Sequence, residues 1–177
     1  MRKVVKFGGS SLANAAQFRK VGEIIREDQT RRYVVPSAPG KRYINDTKVT
    51  DMLYHCYELA EKGKKFLPLL NEIKARYEEI IDGLRLELSL DKEFEVIAEQ
   101  FLKKAGKDYA ASRGEYLNGI VMSRYLGVTF IDAAEVIFFD KNGNLDLETT
   151  EEVLAKRLEN ANRAVIPGFY GMGADGK

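Results

Sequence analysis

Apolar residues recur every three or four positions over most of this chain, the spacing of amphipathic helices. The clearest run covers residues 64–82, where Phe66, Leu69, Leu70, Ile73, Tyr77, Ile80 and Ile81 form one stripe. A second stripe, Phe18, Val21, Ile24 and Ile25, predicts a helix over 12–26. A third, Leu53, Cys56, Tyr57 and Ala60, starts near Thr50 and stops at Gly63. Phe94, Ile97, Ala98, Phe101 and Leu102 predict a helix over 90–105, with Gly106 as its C-cap, so 64–105 reads as one helical stretch. A further helix, capped by Asp108 or Ser112 and stopped by Gly127, carries Leu117, Ile120 and Val121. The last runs from a cap at Thr149 or Thr150 to Asn160.

Short continuous apolar runs predict buried strands between these helices: 2–7, 32–36, 128–131, 136–139 and 164–169. Asn142-Gly143 marks a turn after the fourth. Strands alternating with helices in this way predict an α/β fold with a largely parallel sheet. The glycine-rich stretch 171–177 looks like the approach to another strand, so the chain is expected to be part of a longer protein.

The first strand ends in Lys6-Phe7-Gly8-Gly9-Ser10-Ser11 and enters a helix. Free N–H groups at a helix start and the positive end of its dipole attract anions. Gly8 and Gly9 let backbone approach a ligand, and Lys6 adds a full positive charge. The order differs from a P-loop, where lysine follows the glycines, and from the G-x-G-x-x-G dinucleotide turn. By itself the pattern also fits a tight βα connection with a surface lysine, in which Ser10 and Ser11 cap the helix.

Composition narrows the class of partner. With 28 basic and 27 acidic residues, the net charge of +1 provides no field toward nucleic acid or an anionic membrane. No apolar run approaches the roughly 20 residues of a membrane span. Cys56 is the single cysteine and cannot form an internal disulfide, which fits a reducing cytosol. His55 and Cys56 lack further ligand partners, so no metal site is read from the sequence.

Three further stretches join the lysine turn. They are Val34-Val35-Pro36-Ser37-Ala38-Pro39-Gly40 with Thr50-Asp51-Met52-Leu53, then Ser112-Arg113-Gly114-Glu115, then Pro167-Gly168-Phe169. In order and spacing the four resemble the signatures of the aspartokinases across nearly the whole chain. They correspond to K-F-G-G-[ST]-S, V-V-x-S-A-x-G…T-D-x-L, [ST]-x-G-E and P-G-F.

The resemblance implies the amino-acid-kinase (carbamate-kinase-like) fold, an αβα sandwich, with residues 1–177 as the N-terminal portion of one such domain. The S-R-G-G-S-D motif and the regulatory ACT domains would lie beyond Lys177, and these residues alone are expected to show no kinase activity. It also implies transfer of the ATP γ-phosphate to the side-chain carboxylate of L-aspartate, the first step toward lysine, threonine and methionine. Mg2+ would arrive with the nucleotide, and the full-length enzyme would be a cytoplasmic homo-oligomer.

By the same resemblance Lys6 is catalytic, and with Gly8, Gly9 and Ser10 it holds ATP, while Ser37, Thr50 and Glu115 bind aspartate. Within the fold, glutamate, acetylglutamate and UMP kinases are the alternatives. Outside it, the alternative is a phosphate-binding or assembly fragment without activity. Residue by residue, Thr50 alternatively caps a helix, and Glu115 alternatively complements a helix dipole in a first turn. Arg113 falls at a variable position and reads as surface. Nine residues separate Gly40 from Thr50, more than in most members, and Lys41, Arg42 and Lys48 there face either nucleotide phosphates or solvent.

Overall fold

A computed structural model describes all of residues 1–177. Strand β1 (Lys3–Phe7) leads through a 3₁₀ turn (Gly9–Leu12) into α1 (Ala15–Glu27), followed by β2 (Arg31–Pro36). Four helices come next: α2 (Val49–Glu61), α3 (Leu67–Gly83), α4 (Asp91–Leu102) and α5 (Lys107–Leu126). The chain then alternates again through β3 (Thr129–Phe130), α6 (Ala133–Val136), β4 (Phe138–Phe139), α7 (Leu147–Glu159), β5 (Ala164–Val165) and β6 (Met172–Gly173).

The main sheet has the order β1-β2-β5-β3 and all its pairings are parallel. A small parallel pair, β4 with β6, stands apart. Alternation along the strands sends successive side chains to opposite faces. Val34 and Val165 enter a core of 25 buried residues shared with α1 to α5. Their neighbours Tyr33 and Ala164 join Ile131, Val136 and Ala161 in a smaller core, against which Val153, Leu154 and Leu158 of α7 pack. Helices therefore cover both faces, giving the expected αβα sandwich.

Four details differ from the sequence reading. β1 is an edge strand rather than a buried one, and Val4 is 67% exposed because the thinner α6–α7 layer covers only β2, β5 and β3. Asn14 caps α1 by accepting from Gln17 N, so neither Ser10 nor Ser11 serves that helix. Asp146 caps α7, while the Thr150 hydroxyl accepts from Phe138 N. Gly106, at φ +106°, precedes α5 instead of closing α4, which ends with Lys104 in the left-handed region.

The last difference has the largest consequence. Ser112, Arg113, Gly114 and Glu115 lie in the middle of a 20-residue helix, not at its start. α5 touches α2, α4 and the sheet, so buried residues ring it on nearly every side. A helix without a polar face leaves no amphipathic period to mark where it begins.

Candidate functional site

The lysine turn and the loop after β2 are joined backbone to backbone at the carboxyl ends of β1 and β2. Gly40 N donates to Gly9 O at 2.8 Å, and Ser37 N donates to Phe7 O at 3.0 Å. A Cβ on Gly9 would lie 2.7 Å from Ala38 O, and one on Gly40 would lie 2.6 Å from Gly9 C. These glycines permit the two segments to cross. Gly8 is different, since a Cβ there would meet nothing within 4 Å, which leaves its backbone open to a ligand. Gly9→Ala is therefore expected to cost about 2 kcal/mol through overpacking against backbone, and Gly8→Ala less than about 1 kcal/mol. Urea unfolding of the two variants measures the difference.

The loop 41–48 is held from within. Arg42 donates from its backbone N and Nε to Asp46 Oδ2, both at 2.9 Å, and from Nη2 to Oδ1 at 3.1 Å. These bonds hold the Asp46 carboxyl well below the usual range. Arg42 is thus engaged by Asp46 and, from Nη1 at 3.0 Å, by Glu79 of α3. Arg76, 5% exposed, reaches from α3 to donate to Gly40 O at 2.8 Å and to Thr47 O, with Asp46 at 3.4 Å. Sequence reasoning missed Arg76. Its only signal was a charged residue on the buried stripe between Ile73 and Tyr77.

Thr50 is the second residue of α2 and not its cap, which is Lys48 without a side-chain capping bond. Val49 N donates to Pro39 O at 3.2 Å, tying the start of α2 to the same loop.

α5 closes the site from the other side. A Cβ on Gly114 would sit 2.7 Å from Ala38 Cβ and 3.7 Å from Thr50 Oγ1. The glycine therefore admits the protein's own loop. Glu115 Oε1 accepts from Ala38 N at 3.2 Å, and Asn118 Nδ2 donates to Ser37 O at 2.6 Å. Tyr77 OH donates to Gly114 O at 2.8 Å, bracing the helix from α3. The structure thus gathers Lys6, Gly8, Gly9, Ser10, Ser37, Thr50 and Glu115 around one crossing of loops, and adds Asn118, which the sequence did not reveal.

Glu115 is 8% exposed, and its Oε2, like Asn118 Oδ1, is buried without a hydrogen-bond partner. Burial pushes the Glu115 carboxyl up, opposed by the Ala38 N–H and the Lys6 charge. A carboxyl raised in the folded state binds its proton more tightly there than in the unfolded chain. Its contribution is fully present below the ordinary carboxylate range and is lost as pH rises through the raised value. Glu115→Gln, which keeps an acceptor for Ala38 N, is expected to match the wild type near pH 4. By pH 7 it should be more stable by about 1 kcal/mol. Chemical unfolding at the two pH values reads this; a variant less stable at pH 7 would show that the charge is already balanced.

Arg113, read as surface, is half-buried. Its guanidinium lies over the rings of Tyr109, Tyr116 and Tyr170 at 4.6, 4.4 and 5.4 Å, and Tyr170 OH donates to Asp132 at 2.8 Å. It fastens the segment after β5 to α5 through cation–π contacts.

A lysine and open glycine backbone at a helix start suit an anion, and a buried carboxylate with a free oxygen suits a cationic group. Both stand at the carboxyl ends of parallel strands, where α/β proteins bind ligands. Fold and site together define an α/β protein with an exposed lysine turn and a buried carboxylate side by side at the carboxyl ends of its parallel strands. The chain belongs to the amino acid kinase family, whose model matches residues 1–177.

It is 35% identical over 193 aligned residues to aspartokinase 3 of Bacillus subtilis, an alignment covering 98% of this chain and 41% of that protein. The crystal structure of Clostridium acetobutylicum aspartate kinase superposes with a TM-score of 0.95 at 46% identity, covering 98% of this chain and 40% of that one. Escherichia coli aspartokinase III, solved with aspartate and ADP, shares the fold at a TM-score of 0.79 and 23% identity, covering 100% and 42%. The chain thus spans about 41% of the length of this B. subtilis relative.

Proposed function

We propose that the protein of which this chain forms a part is an aspartate kinase. A side-chain carboxylate oxygen of L-aspartate attacks the γ-phosphorus of ATP, the bond to the β–γ bridging oxygen breaks, and ADP leaves with aspartyl phosphate as product. The observation that carries this reading is the junction of the lysine turn with Thr50 and the unpartnered oxygen of Glu115.

Each residue has a role its surroundings support. Lys6, exposed beside the open Gly8 backbone, stabilises charge on the phosphoryl group in flight. Gly8, Gly9 and Ser10 hold phosphate oxygens from the 3₁₀ turn. Glu115 Oε2 accepts from the α-ammonium of aspartate, and the Thr50 hydroxyl with the Ser37 segment orients the substrate. Since carboxylate is an adequate nucleophile, the protein contributes mainly position and electrostatics. No three acidic, His or Cys side chains converge to hold a metal ion. Mg2+ would enter on the nucleotide, held by its phosphates, and neutralise charge there.

We further propose that the enzyme acts at the start of lysine and threonine biosynthesis, as a homo-oligomer in the cytoplasm. The test is coupled ADP release by the complete protein with L-aspartate, L-glutamate, N-acetyl-L-glutamate and UMP offered separately. Turnover dependent on aspartate supports the reading. Turnover with one of the others alone, or with none, refutes it.

A further inference from the structure

Four arginines converge at the end of the sheet opposite the lysine turn. Arg26 closes α1, Arg31 and Arg32 open β2, and Arg163 directly precedes β5. Together with Val34 and Leu126 they line a cavity of about 50 Å³, and no acidic side chain contributes to its wall. The register pairs Tyr33 with Ala164, so Arg32 and Arg163 are neighbours on adjacent strands. Strands stand about 4.8 Å apart, and like charges placed side by side on them repel.

Three of the four arginines have partners in the protein. Arg26 donates to Tyr125 O at 3.2 Å and to Tyr125 OH at 3.4 Å. Arg31 donates to Ile24 O, and Arg32 donates to Asn162 Oδ1. The nearest acid is Asp28, 3.8 Å from Arg31 and already bonded to Lys3 at 2.8 Å. Arg163 has none: its Nη2 is buried without a hydrogen-bond partner. Buried donors almost always find an acceptor, and a guanidinium left without one is costly. An oxyanion held among the four guanidinium groups would relieve the repulsion between Arg163 and Arg32.

We propose that this arginine cavity binds a phosphate group. The guanidinium fork matches phosphate oxygens in pairs. The cavity exceeds the roughly 10–15 Å³ that one water needs and suits a single phosphate, free or at the end of a monoester. From Arg31 to Pro36 the strand rises about 17 Å, so this cavity and the lysine turn hold separate anions.

The test is isothermal titration of the 177-residue chain with inorganic phosphate and, separately, glycerol 3-phosphate, at constant ionic strength. Lys6→Met, which weakens only the separate anion site of the lysine turn, is expected to keep the phosphate-binding event of the cavity, and Arg163→Met to lose that event or weaken it about tenfold. Without phosphate, Arg163→Met should melt no lower than wild type, because the change removes an unpartnered charge. If Arg163→Met does not fold, Arg32→Gln carries the same comparison. Binding of the monoester as well assigns the site to a phosphorylated metabolite, and binding of phosphate alone assigns it to the free ion. Absence of saturable binding, or binding lost in Lys6→Met and unchanged in Arg163→Met, overturns the proposal.

Discussion

Arg76→Met is expected to lower the unfolding free energy by about 3 kcal/mol, the usual scale for breaking a buried ionic network by removing one member. For a domain of this size that corresponds to a fall of about 6–12 °C in melting temperature. The arginine supplies the donors for Gly40 O and Thr47 O, and Gly40 is buried. Methionine fills the space but leaves both carbonyls unmatched. Asp46 keeps its bonds to Arg42, so the loss is that of two backbone acceptors and one ion pair rather than of the whole loop.

The same substitution reaches the anion turn. Gly40 bonds to Gly9, so loosening the loop loosens the segment that carries Gly8 and Ser10, and nucleotide affinity should fall with stability. Lysine at position 76 keeps the charge but not the fork that spans two carbonyls, and is expected to recover less than half of the lost stability. Calorimetric melting of the two variants checks the order. Equal melting of wild type and Arg76→Met would mean that the loop holds its shape without this anchor.

Lys6→Met should do the opposite, sparing the fold and removing activity. Lys6 is exposed, and Glu115 is the carboxylate its charge reaches, so stability is expected to change by less than about 0.5 kcal/mol. In the complete protein, kcat for aspartate-dependent ADP formation should fall about 10²–10³-fold, the scale of losing one donor aimed at developing charge. KM for aspartate should move far less. Removing the Lys6 charge also lets the Glu115 carboxyl rise further, since that charge opposes the effect of burial. The pH dependence of stability attributed to Glu115 should therefore shift toward higher pH. A kcat within threefold of wild type would remove Lys6 from the proposed chemistry.

Much of the architecture is legible in the order of residues. The stripe from Phe66 to Ile81 became α3, and Tyr33-Val34-Val35 became the middle of β2. Where an element has one wet face and one dry face, its period is written in the order of residues. α5 has no such contrast, so its start reads equally at Asp108 or at Ser112, and the second choice sets Glu115 in a first turn when it lies in mid-helix. The apolar run of β1 predicts a buried strand, yet β1 lies at the edge, because apolar content reports what a strand can bury and not which neighbours it has.

The lysine before glycines at a helix start is a local signal for an anion, whereas Ser37, Thr50 and Glu115 are marked as site residues by the resemblance to the aspartokinases. That much belongs to the chain itself, because backbone freedom and side-chain charge act over a few residues. What the glycines are for required the tertiary structure. Gly9 and Gly114 make room for Ala38 and the loop that carries it, a contact between segments far apart in sequence. The buried setting of Glu115, the Arg76 anchor and the meeting of Arg32 with Arg163 are likewise products of packing. Burial and charge pairing depend on which distant groups arrive together, and no local pattern of residues records that.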